Sequence, residues 1–214
     1  MSWAPPPLAR LLSRTEQLLS RFDETLGDAG LAYDDLRSAV TLDALLVARQ
    51  HAEAVVVLAR AQLLSSAIGV LRMQYEAVLR GAWLMFAATE KEVAILSAPL
   101  TPGTLQASKN LGTSVELLTA IELSSGAPPP LKLALREFRE SSKDVLNSHS
   151  HAGLHPLRRH DGHFEREMAT TLVASNGLTY LTAMSIVHAG GVPERQGDVN
   201  VLFTSYSDCM NRRR

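Results

Sequence analysis

Apolar residues return every three or four positions along most of this chain, and the period-two alternation of a half-buried strand is nearly absent. Leu8, Leu11, Leu12, Leu18, Leu19 and Phe22 follow a proline run that suits a helix start, and they predict a first helix. Residues 28–33 read as a connection. A second helix is expected from about Thr41 as its N-cap, with Leu42, Leu45, Leu46, Ala52, Val56 and Ala59 on its apolar face. The third, from about Leu64 to Ala88, is apolar around most of its circumference, the pattern of a helix in the middle of a bundle. After a break at Pro99 to Gly103, a shorter helix covers about Ser114 to Leu123, and Ser124 to Pro130 reads as a linker. A further helix is expected over Leu131 to Asn147, with Leu133, Leu135 and Phe138 inward, and a last long one over Phe164 to Ala189. The pattern predicts one all-α domain across residues 1–214, a bundle of five or six helices, with 1–7 and about 194–214 peripheral.

Composition narrows the setting. With 214 residues, 46% of them hydrophobic and 20% charged, the chain can bury a sizeable core. A net charge of -1 gives no global footprint for nucleic acid, so any such surface must be local. The single Cys209 cannot staple its own chain, which fits a reducing compartment, and a catalytic thiol is not expected so near a polar, frayed terminus. The N-terminus lacks the basic and apolar regions of a secretory signal. Between Met168 and Val192 the chain carries no formal charge apart from His188, yet Thr170, Thr171, Ser175, Asn176, Thr179 and Thr182 suit a buried helix better than a membrane span. A cytoplasmic protein without a membrane partner is expected.

Two groups of residues carry candidate chemistry. Arg72, Glu76 and Arg80 stand at i, i+4 and i+8, one charged stripe on an otherwise apolar helix, with Tyr75 and Trp83 close by. On a central helix such charges are paired with one another or serve a site. His51 and Glu53 of the second helix are further candidates for the same groove. The second group is a cluster of five of the seven histidines, His149, His151, His155, His160 and His163, beside Arg158 and Arg159. Four readings of it stand open. His151 and His155, with His149, His160 or Glu76, have the spacing of a metal site, although Gly153 and Pro156 interrupt the helix it needs. Arg158 with His163 or His160 suits acid–base chemistry on phosphate without metal. The same residues suit anion binding alone. They also suit a polar helix end, where histidines cap carbonyls. No nucleophile elbow, phosphate-binding Gly-Lys loop or dinucleotide fingerprint is present, and neither a metal nor a cofactor is assigned.

The run Leu71-Arg72-Met-Gln-Tyr75-Glu76-Ala-Val-Leu-Arg80-Gly-Ala-Trp83, followed by Ser148 through His160, resembles an uncharacterised group of bacterial all-helical proteins. His51-Ala-Glu53 and Ser175-Asn176-Gly177 share in the likeness, which spans about Ala44 to Leu181. More distantly the arrangement is similar to HEPN-type helical bundles, some of which are metal-independent endoribonucleases of toxin and defence systems. Their signature, an arginine followed after four to six residues by a histidine, is matched by Arg158 and His163, with Arg159 where the family usually has a small polar residue. The resemblance implies a HEPN-like homodimer acting on RNA or a nucleotide, or paired with a cognate partner protein. Arg158, His163 and His160 would be catalytic, and Arg72, Tyr75, Glu76, Arg80, His151 and His155 would bind ligand. A helical scaffold or small-ligand binder, in which the charged network only locks the bundle, is the alternative.

Overall fold

The computed structural model describes residues 7–27, 35–157 and 164–210. Among the described residues the chain forms ten α-helices, two 3-10 turns and no strand. The helices are α1 (Leu8–Gly27), α2 (Leu36–Arg60), α3 (Leu64–Phe86), α4 (Glu90–Ser97), α5 (Pro102–Ser108), α6 (Ser114–Leu123), α7 (Pro129–Ser150), α8 (Leu154–Leu157), α9 (Phe164–Ala189) and α10 (Gln196–Ser205). The count exceeds the five or six expected because α4, α5, α8 and α10 span no more than 10 residues each. Elements that short show too few apolar repeats for periodicity to register.

The helix apolar on all sides is indeed the hub: α2, α9, α6 and α7 all pack on α3. Helix α2 starts earlier than its apolar pattern suggests. Asp35, not Thr41, is the N-cap: it accepts from the Ser38 hydroxyl at 2.7 Å and the Ser38 amide at 2.9 Å, and these bonds hold its carboxyl below the usual range. Thr41 lies inside the helix and is buried. After the three-residue turn 61–63 the chain doubles back into α3, and the two helices approach closely at Gly81. A Cβ there would stand 2.8 Å from Leu45 Cδ2. At the far end of the pair, Arg37 donates to the Leu84 and Ala88 carbonyls and pairs with Glu90 at 2.6 Å, capping α3 from α2.

Two inward assignments are corrected. Leu46 of α2 and Leu133 of α7 are exposed. The buried edge of α7 instead follows Leu131, Leu135, Phe138 and Leu146, one helical face on which Leu133 has no place.

Of the C-terminal stretch expected to be peripheral, residues 194–210 are described, and they pack on the bundle. Val199 and Phe203 of α10 are fully buried with Leu18, Phe22, Ile186 and Val187, and Cys209 is fully buried in the main core. Arg14 of α1 pins this segment by pairing with Asp208 at 3.1 Å, donating to the Ser205 carbonyl, and lying over the Tyr206 ring. Burial pushes the Cys209 thiol up to about 11, so it is neutral at physiological pH. A polar seam crosses the interior. Gln74 of α3 donates to the Ser175 carbonyl and Thr179 Oγ1 of α9 and accepts from Ser175 Oγ at 2.7 Å. Asn176 donates to Thr15 and to the Cys209 carbonyl, tying α9 to α1 and the C-terminal segment. None of the described helices is long and apolar enough to cross a membrane, α9 included.

Candidate functional site

Stacking Arg72, Glu76 and Arg80 on one face of α3 sets them along a groove, because four residues advance a helix by slightly more than one turn. The opposite wall is the C-terminal end of α7. Together they border an open, shallow cleft of about 540 Å³ whose lining includes Ser65, Arg72, Met73, Glu76, His149 and His151. Arg72 Nε donates to Glu76 Oε1 at 2.9 Å. The Arg72 side chain is 28% exposed and that of Glu76 43%, so the pair stands at the rim rather than in the core. That placement changes the expected cost of breaking it. A deeply buried pair stranded by one deletion costs about 3–5 kcal/mol, whereas Glu76→Ala here is expected to cost about 0.5–1 kcal/mol in urea unfolding.

Arg80 continues the stripe past the cleft. Its guanidinium lies 5.3 Å from the centre of the Trp83 ring, and burial pulls it below the usual arginine range while Glu76 opposes that shift. Nη1 of Arg72 and Nη1 of Arg80 are both buried and have no hydrogen-bond acceptor among the described residues. Such donors are costly to leave unmet.

The histidines are presented by a turn built around Gly153. Helix α7 ends at Ser150, His151 is its C-cap, and Ala152 adopts a left-handed φ of 50°. Gly153 donates to the Ser148 carbonyl at 2.7 Å, and a Cβ on it would stand 2.7 Å from Ser148 Oγ. Only glycine fits so close an approach. Ser148 Oγ in turn accepts the His155 amide at 2.9 Å. The His149 and His155 rings come to 6.4 Å of one another, and His151 and His155 are exposed. Among the described residues no group of three or more His, Cys, Asp or Glu side chains is placed to hold a metal. Arg158, His160 and His163 lie outside the described residues.

The structure thus brings Arg72 and Glu76 together with His149 and His151, and sets Arg80 and His155 beside that cleft. Tyr75 goes elsewhere. It is turned into the core, where its hydroxyl donates to the Leu135 carbonyl at 3.3 Å, its ring stacks on Phe138 at 4.8 Å, and burial pushes it up to about 12. It is therefore placed to fasten α3 to α7, not to meet a ligand in the cleft. His51 and Glu53 are not in the lining either, and Glu53 lies 3.5 Å from Arg49. Ser65 and Gly69 were legible as an extension of the stripe, since they stand seven and three residues before Arg72 on the same helical face. His149 has no such signal, because its place opposite Arg72 is set by the packing of α7.

The molecule is thus an all-helical protein with a charged cleft on its central helix. The model of a family of unknown function (DUF6988) matches residues 45–212, and the chain belongs to that family. No curated protein and no solved structure matches it.

Proposed function

We propose that the protein is a HEPN-like endoribonuclease that works without metal and holds RNA by its phosphates in the α3–α7 cleft. The observation that carries this reading is the meeting across one cleft of Arg72, whose side chain is partly exposed at the rim, with the imidazoles of His149 and His151. Arginine supplies a fixed positive fork for phosphate, and imidazole supplies groups that exchange protons near neutrality. The chain just beyond α8 carries Arg158 and His163 in the spacing of the HEPN signature, with His160 between them. In the proposed reaction His163 or His160 takes the proton of a ribose 2′-hydroxyl, whose oxygen attacks the adjacent phosphorus. The 5′-oxygen leaves with a proton supplied by the other imidazole, and Arg158 stabilises the charge on the phosphorane. Arg72, Arg80, His151 and His155 bind flanking phosphates. Homodimerisation belongs to the proposal, since a second copy completes HEPN sites.

A second reading, a non-catalytic scaffold or ligand-binding bundle, is favoured by one observation: Arg72 already has a carboxylate partner in Glu76. RNA cleavage in excess chelator separates the two. The expected result is cleavage leaving a 2′,3′-cyclic phosphate, lost in both Arg158→Ala and His163→Ala at unchanged melting temperature. Absence of cleavage over a range of RNAs gives the scaffold reading the lead.

A further inference from the structure

The cleft ends near Glu76, but the charged stripe does not. Arg80 is a half-buried guanidinium without an ion-pair partner among the described residues, one turn beyond the acid. Eight residues separate it from Arg72, which at the helical rise places the two Cα atoms about 12 Å apart. Arg72 Nε is held by Glu76, four residues on, and the Arg80 guanidinium lies by the Trp83 ring, three residues on, so each head has its own partner along the stripe. A single phosphate accepts hydrogen bonds over about 3 Å on either side and does not bridge that distance. A ligand that satisfies both arginines carries at least two anionic groups along its length.

Resting on the reading of the cleft as an RNA phosphate site, we propose that Arg72 and Arg80 are two phosphate subsites for one single strand of RNA laid along α3, with Glu76 as a divider between them. The acid is 43% exposed and stands between the two positive heads. It holds off any phosphate that comes to rest midway, so the strand is gripped at two separated phosphates and arches over the acid. Tyr75 and Trp83 are both buried in the core, so this stripe offers no aromatic face for base stacking, and recognition runs through the backbone and is indifferent to sequence.

The test uses the full chain with labelled, 2′-O-methylated oligouridylates of one to eight nucleotides, which bind without presenting the attacking hydroxyl. Affinity is expected to rise steeply once the strand is long enough to reach both arginines and then to level. Arg72→Gln and Arg80→Gln should each weaken binding about tenfold and lower the slope of log affinity against log salt by about 0.7. Arg80→Lys, with circular dichroism to verify folding, should restore the slope. Glu76→Gln should tighten binding by a factor of about five, as expected for removing a like charge beside a phosphate. Binding by the parent protein with unchanged slopes in both glutamine variants overturns the two-arginine site and leaves the RNA reading standing. No binding by the parent to any length overturns both. Preference for inorganic polyphosphate over oligouridylate of equal charge overturns the assignment to RNA.

Discussion

Phe203→Ala is expected to destabilise the protein by about 3–5 kcal/mol, the cost of emptying a fully enclosed aromatic site. The ring is fully buried and stands edge-on to Tyr180 at 5.0 Å, within the cluster that joins α1, α2, α9 and α10. The loss is large because neighbours held on four different helices cannot collapse together into the void. A residue in a loosely attached tail would cost almost nothing. Urea unfolding with a constant m-value measures the difference directly, and a change below about 1 kcal/mol would mean that α10 does not hold the body of the bundle.

Gln74→Ala is expected to cost about 3 kcal/mol, for two reasons that a second substitution separates. The side chain is fully buried and bonds three times to α9, through Ser175 and Thr179. Alanine leaves both a cavity and unmet polar groups. Methionine fills the volume, and the Ser175 hydroxyl then has a local alternative in the carbonyl four residues back. Gln74→Met should therefore cost less than half as much as Gln74→Ala in the same unfolding measurement. Equal costs for the two would show that the hydrogen bonds outweigh packing at this crossing.

Long elements were legible because they are long. The α3 and α9 periods run over 23 and 26 residues, and Pro129 and Gly190 mark where the chain enters or leaves a helix. The short helices escaped because periodicity needs repeats, although local signals were there: Thr89 with Glu92 forms a capping box ahead of α4, and Thr101 caps α5 just before Pro102. Val199, Leu202 and Phe203 likewise carry helical spacing inside a tail dominated by polar residues. Thr41 misled for a simple reason. It is a good capping residue in front of a leucine run, but Asp35 stands nearer the true start, and the apolar face begins only a turn later. At the site, the stripe on α3 could be counted from residue spacing. The wall supplied by α7 could not, since nothing local connects His149 to Arg72. Tyr75 illustrates the same limit. Sequence places it beside the charges, yet a rotation of one residue along the helix turns it from groove to core.

The cap that Arg37 places on the end of α3 bears on the order in which the molecule assembles. It closes the α2–α3 pair at the end opposite its three-residue turn, joining residues 47 and 51 positions apart. The turn has already folded that stretch back on itself, so the added closure costs little chain entropy. The pair is therefore expected to form first, with α9 and the C-terminal segment docking later because they stand farther along the chain. Native-state hydrogen exchange should show this as a hierarchy, with amides along α2 and α3 opening only on global unfolding and those of α10 opening earlier.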